Sequence, residues 1–140
     1  MKKIKSPITV NAIINAPIEK VWTFWTEPQH LAEWNNAFDD WHTPLAENDV
    51  RTGGKLKLRM EAKDGSAGFD HEAIYDDVAK YEKIAYTTSD GRKSTILFTE
   101  TKEGIQMSES FEPEDETPRD IQQKFVQSIL NRFKAYVENH

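Results

Sequence analysis

The stretch that decides the fold is the last part of the chain, residues 117–137, which reads TPRDIQQKFVQSILNRFKAYV. Thr117 is a suitable helix cap, Pro118 suits the first helical position, and Asp120 completes a start that resembles a capping box. Apolar residues then recur with the period of an α-helix and predict one broad apolar stripe. They are Ile121, Phe125, Val126, Ile129, Leu130, Phe133, Tyr136 and Val137. Such a stripe has to pack on another layer of the protein.

That layer is predicted to be a sheet, because strand-like segments fill most of the preceding chain. A first strand is expected over residues 4–15, with Ile8, Val10, Ala12 and Ile14 on one face. Two short helices then begin at Pro17 and Pro28. Alternating residues predict further strands at 55–63, 69–78, 83–88, 94–101 and 105–111, separated by hairpin turns. The order predicts a single α+β domain over residues 1–140, in which a long helix lies across the concave face of an antiparallel sheet of six or seven strands.

Composition narrows the classes of partner. The chain has 18 Lys and Arg against 24 Asp and Glu, a formal net charge of -6, so nucleic acid is not an expected partner. It has no cysteine, which excludes disulfides and thiolate metal sites. No segment approaches the roughly 20 apolar residues that span a bilayer. We therefore expect a cytoplasmic protein without membrane insertion, and a monomer or weak homodimer. The scattered histidines have no metal-site spacing, so we predict no metal and no cofactor.

Three short stretches resemble a known superfamily. They are INAPIEKVW at residues 14–22, TEPQHL at 26–31 followed by Trp34, and RTGG at 51–54. The sequence is similar to the START-like (SRPBCC) helix-grip superfamily, which has the birch-pollen-allergen-like fold. Within it, the branch of activator of heat-shock-protein-90 ATPase homologues is the closest in pattern. The resemblance implies a cavity between helix and sheet, and Phe125-Val126 and Ala73 stand where Gly-Trp and Gly are frequent. Both departures add bulk and predict a smaller cavity.

Glu109 is the most informative single residue. In its strand it shares a face with Ile105, Met107 and Phe111, so a carboxylate lies on the apolar face. Burial would raise its pKa unless it has a partner, open water or a ligand. Exposure at the strand end or pairing with a basic side chain is the alternative. His71 is one possible partner for Glu109, although a histidine satisfied by another hydrogen bond is the simpler interpretation.

These features predict a module that binds an apolar, aromatic or lipid-like small molecule. The predicted lining combines aliphatic and aromatic groups for affinity with His71 and Glu109 for orientation. It consists of Trp34, Trp41, Leu58, Met60, His71, Tyr75, Tyr86, Phe98, Met107, Glu109, Phe125 and Ile129. Trp34 and Trp41 are interpreted either as the rim of the pocket or as core. The resemblance also implies two alternatives, a chaperone-cofactor-like interaction domain and a cyclase- or hydrolase-like enzyme. No catalytic residue is predicted, because the sequence shows no nucleophile beside a base and no metal cluster.

Overall fold

A seven-stranded antiparallel sheet and three helices make up the computed structural model, which describes residues 6–36 and 38–140. The predicted α+β helix-grip architecture is confirmed. In chain order the elements are β1 (Ile8–Ile14), α1 (Ile18–Thr26), α2 (Pro28–Trp34), β2 (Trp41–Asn48), β3 (Lys55–Ala62), β4 (Gly68–Ala79), β5 (Lys83–Thr88), β6 (Lys93–Thr101), β7 (Gly104–Phe111) and α3 (Arg119–Glu138).

The sheet runs in the order β1-β7-β6-β5-β4-β3-β2, so β2 to β7 form consecutive hairpins and β1 closes the far edge beside β7. The pairing places Glu109 of β7 directly between Val10 of β1 and Ile96 of β6. Ile8, Val10 and Ile14 are buried and Ala12 is half-buried, as the alternation predicts. Residues 4 and 5 of the predicted first strand lie outside the described residues.

The strand β2 is not among the strands that the sequence pattern predicts. Pro44 lies inside this strand, and the register with β3 shifts between His42 and Leu45. Proline cannot donate to a strand ladder and is tolerated at edges and irregularities, which is where it lies here. The irregularity breaks the alternation that would have identified the strand.

The helix α3 begins differently from the prediction. Pro118 occupies the N-cap position and no side chain caps the helix, so the proposed capping role of Thr117 is wrong. Instead, the buried Gln122 side chain accepts from the backbone N–H of Glu114 at 3.0 Å and donates to the carbonyls of Glu114 at 3.1 Å and Thr117 at 2.7 Å. Glu114 in turn accepts from the backbone N–H of Thr117 at 2.6 Å. These hydrogen bonds hold the loop that precedes α3 against the first turn of the helix.

Only the C-terminal half of the α3 stripe is packed. Leu130, Phe133 and Val137 are fully buried, whereas Ile121 and Phe125 are 53% and 43% exposed. Phe133 makes edge-to-face contacts with the rings of Trp25 and Trp34, each at 4.9 Å between centroids. The N-terminal half of the helix therefore stands over open space rather than over side chains.

Candidate ligand-binding site

A cavity of about 780 Å³ lies between the N-terminal half of α3, the concave face of the sheet and the segment that joins α2 to β2. This volume falls within the range of about 300–1,000 Å³ that is usual for small-molecule sites. Every strand except β1 contributes to its lining among the described residues. Most of the lining is aliphatic or aromatic, and a few polar side chains are set into it.

Ten of the twelve predicted lining residues surround this cavity. They are Trp34, Trp41, Leu58, Met60, His71, Tyr75, Tyr86, Glu109, Phe125 and Ile129. Their role in binding a ligand stays a prediction.

Phe98 and Met107 do not line the cavity and are placed in the closed core instead. The Phe98 ring lies 5.4 Å from that of Trp22, and Met107 is fully buried. Both residues point to the concave side of the sheet, as predicted. Alternation specifies the face of a strand but not the position along it at which the helix leaves the sheet, so these two assignments were wrong.

The structure adds polar lining residues that the sequence analysis missed. They include Ser94, Arg92 and Gln122. Ser94 shares the concave face with Ile96, so its position follows from the same alternation. Arg92 belongs to a turn whose sequence predicts a charged hairpin, and Gln122 follows an apolar residue on the helix. Neither pattern predicts that these side chains line a cavity.

Glu109 is 9% exposed and faces the cavity from β7, where its neighbours across the sheet are Val10 of β1 and Ile96 of β6. Its carboxyl group makes no hydrogen bond or ion pair with any residue in 6–36 or 38–140, and its oxygens are not sealed off but open onto the cavity. Burial raises its pKa from 4.5 to about 7. Neither strand-end exposure nor pairing with a basic side chain describes this environment, which is that of an unpartnered acid in an apolar wall.

His71 lines the same cavity but does not pair with Glu109. It lies on β4 opposite Leu58, and β5 and β6 separate it from β7. Three strand spacings amount to about 14 Å, which is too far for a hydrogen bond. Burial, followed by the positive charge of Arg92, lowers the pKa of His71, so its imidazole is neutral near neutral pH. The His71–Glu109 pair, one of the two interpretations of His71 from the sequence, is therefore not formed.

Two tyrosines line the cavity together with His71 and Glu109. Tyr75 and Tyr86 are in edge-to-face contact with ring centroids 6.3 Å apart. The Tyr75 hydroxyl donates to the side-chain oxygen of Asn48, and burial raises its pKa to about 12. Burial, and then the charge of Glu109, raises the pKa of Tyr86 as well. Both side chains remain phenols and present hydrogen-bonding groups on an otherwise apolar surface.

The mouth of the cavity is lined with exposed aromatic rings. Phe38 and Phe125 lie 6.3 Å apart between centroids and are 57% and 43% exposed. Trp41 and Phe69 form a second pair at 5.9 Å. Phe125, predicted to reduce the cavity, stands at this opening. Ala73, the other predicted source of bulk, is buried without lining the cavity.

An ion pair fixes the segment at the mouth to α3. The Arg132 guanidinium lies 2.7 Å from a carboxylate oxygen of Asp39, in the segment that follows α2. The pair lowers the pKa of Asp39 through its hydrogen bond and its charge. In the part of the chain described, His, Asp and Glu form no group of three that could hold a metal ion.

Comparison with known proteins identifies the family. The profile of the activator of Hsp90 ATPase homolog 1-like (AHSA1-like) proteins matches residues 15–138. The chain belongs to this family. No curated protein matches it. The resemblance expected from the residues is thereby confirmed.

Solved structures of proteins from three bacteria share the fold over nearly their whole length. The AHSA1-like protein from Aeromonas hydrophila has 37% identity and a TM-score of 0.91, with 95% of this chain and 92% of that one covered. A protein from Cytophaga hutchinsonii has 47% identity and a TM-score of 0.83, with the same coverage. A protein from Chromobacterium violaceum, at 24% identity, a TM-score of 0.85 and coverage of 96% and 99%, supports the fold alone. None of the described helices has the length and hydropathy needed to cross a bilayer.

Proposed function

We propose that this AHSA1-like domain binds a small apolar molecule, aromatic or lipid-like, in the cavity between α3 and the sheet. The observation that carries the proposal is the cavity itself, about 780 Å³ under a helix whose apolar stripe is left half unpacked. Solvent-exposed Ile121 and Phe125 are unfavourable in the empty protein. A ligand between helix and sheet would cover them.

The chemistry of the lining supports an apolar ligand with a small number of polar anchors. Aliphatic side chains such as Leu58, Met60 and Ile129 form the walls, and tyrosine hydroxyls and Glu109 are set among them. Enclosing about 300 Å² of apolar ligand surface would contribute about 7 kcal/mol before the costs of association.

Binding is favoured over catalysis by the separation of the titratable groups. General acid–base catalysis requires the acid and base to reach the same reacting group. Glu109 and His71 lie on β7 and β4, with two strands between them. At this separation, Glu109 and His71 could contact two ends of one molecule but could not act on the same proton.

A cavity-filling variant tests the proposal. Val126→Trp places an indole between α3 and the sheet, whereas Leu97→Trp places the same group on the outer face of β6, where Leu97 is 46% exposed. We expect the fluorescent neutral probe pyrenylmethanol to bind the unaltered protein and the Leu97 variant equally. Val126→Trp should weaken binding at least about tenfold, because the ligand and the indole compete for one space. Equal binding by both variants, or no binding by the unaltered protein, would refute a ligand-binding cavity.

The family name raises docking on a heat-shock chaperone as a second role. Four exposed apolar residues on the outer face of the sheet would be available for such contact, namely Ile13, Leu45, Ile74 and Leu97. They lie on β1, β2, β4 and β6, so neighbouring members are two strand spacings, about 10 Å, apart. A scattered set of this kind is weaker than a contiguous patch. The cavity therefore remains the better-supported site.

A further inference from the structure

We infer that the ligand preferred by this cavity is a lipophilic amine, an apolar molecule whose protonated nitrogen pairs with the carboxylate of Glu109. The inference rests on the proposed function and specifies the class of ligand. It is drawn from the position of Glu109, the charges around the cavity and the aromatic groups beside them.

The position of Glu109 calls for a partner from outside the protein. Its side chain is 9% exposed and lies between Val10 and Ile96, neither of which can donate a hydrogen bond from its side chain. Within 6–36 and 38–140 no side chain pairs with the carboxyl group. Because an unpartnered buried carboxyl is unfavourable, a ligand that supplies a charged donor would relieve this penalty on binding.

The other charged groups of the cavity leave its net charge negative. Arg92 is the only lysine or arginine among the described lining residues, and its Nε lies 2.7 Å from a carboxylate oxygen of Asp90. His71 is neutral near neutral pH. Two further acids line the cavity, Glu112, which accepts from the backbone N–H of Lys93 at 2.7 Å, and Glu114. The positive charge of Arg92 is thus paired already, and a cationic ligand complements the negative charge of the acidic residues that line the cavity.

Hydrogen bonding and aromatic contacts favour an ammonium group over a neutral donor. A hydroxyl or an ammonium group can each donate a charge-assisted hydrogen bond to the carboxylate, but only the ammonium group also supplies a counter-ion for the charge of Glu109. Trp34, Trp41, Tyr75 and Tyr86 also line the cavity. Aromatic faces attract cations, so these rings would support an amine and its apolar substituents together.

Three probes with one apolar body test the inference. Pyrenylmethylamine, pyrenylmethanol and pyrenecarboxylic acid differ in the polar group, which is cationic, neutral or anionic. In fluorescence titrations of the unaltered protein near neutral pH, the amine should bind at least about tenfold more tightly than the alcohol, because the amine forms an ion pair with Glu109 in addition to a hydrogen bond. The acid should bind most weakly, because like charges are buried together.

Two variants with the same change of charge locate the effect. Glu109→Gln should remove the preference for the amine, measured as the ratio of the affinities of the amine and the alcohol for the same variant. Glu72→Gln, on the solvent-exposed side of β4, is the matched control and should retain the full preference. The comparison of probes on the unaltered protein requires no variant, so the inference stays testable even if Glu109→Gln folds poorly.

The pH dependence of the preference for the amine distinguishes direct contact between Glu109 and the amine from a purely structural role of Glu109. The amine stays protonated from about pH 8 to about pH 5, whereas Glu109 takes up a proton in this interval, so the preference for the amine should decline as pH falls. The other titratable groups that face the cavity are His71, Tyr75, Tyr86, Glu112 and Glu114, with Arg92 charged throughout. Any pH dependence of this preference that persists in Glu109→Gln is caused by the titration of one of these groups.

The outcomes separate this inference from the proposed function. Binding of the alcohol as tightly as the amine would overturn the inference and leave the cavity a site for neutral apolar molecules. A preference that Glu109→Gln retains would overturn the assignment to Glu109. Absence of binding by all three probes would refute both.

Discussion

Glu109 keeps a carboxyl group inside an apolar wall, and this placement opposes folding once the group is ionised. Its pKa of about 7 lies above the ordinary value of 4.5 because burial disfavours the charged form. Between these two values the folded protein holds a proton that the unfolded chain has released. The contribution of Glu109 to the free energy of unfolding is therefore intact below about pH 4.5 and declines as the pH rises through about 7.

Replacing Glu109 with Gln should stabilise the empty protein at alkaline pH. Gln keeps the shape and carries no charge, so the free energy of unfolding should rise by about 1–3 kcal/mol near pH 8. Near pH 5 the two proteins should be almost equally stable. Urea denaturation at both pH values measures the difference. A variant that is less stable than the parent at pH 8 would show that the Glu109 carboxylate has a stabilising partner.

His71 should titrate below the ordinary histidine pKa of about 6.5, because burial and the nearby Arg92 both disfavour its protonated form. NMR titration of its ring protons measures this value. Arg92→Gln should move it upward without restoring it fully, since the burial remains. A transition at or above 6.5 in the parent protein would contradict the enclosed position given to the ring.

At the scale of elements, periodicity in the sequence specifies which face of a helix or strand is apolar. It does not specify where the element ends or what packs against that face. The stripe of α3 was predicted correctly, and Leu130, Phe133 and Val137 are buried as expected. That Ile121 and Phe125 stand away from the sheet depends on where the sheet curves, which no local pattern contains. Pro44 and the register shift concealed β2 for a related reason, because the strand does not alternate regularly.

The start of α3 depends on Gln122 rather than on Thr117. Gln122→Ala removes the three hydrogen bonds that join the loop to the helix and empties the space filled by the buried amide, so it should cost about 1–3 kcal/mol. Thr117→Ala removes an exposed hydroxyl whose hydrogen bond to the Glu114 carboxylate lies at the surface, and it should cost no more than about 0.5 kcal/mol. Thermal or urea unfolding compares the two variants. A larger loss for Thr117→Ala would restore the capping role predicted from the sequence.

At the scale of the whole molecule, the resemblance predicted both the fold and the existence of a cavity, while its size required the structure. Phe125 and Ala73 each replace a smaller or differently placed residue of the pattern, and their bulk predicted a restricted space. The cavity nevertheless measures about 780 Å³, because Phe125 lies at the mouth and Ala73 packs within the wall. The consequence of added volume depends on the direction of the side chain, which one sequence does not specify.

Methyl NMR during a titration with pyrenylmethanol tests the central claim most directly. A saturable ligand between α3 and the sheet should shift the methyl signals of Leu58, Met60 and Ile129, which line the cavity, and leave those of Ile13 and Leu97 on the outer face unchanged. Shifts confined to the outer face, or no saturable shift at the cavity methyls, would contradict the account.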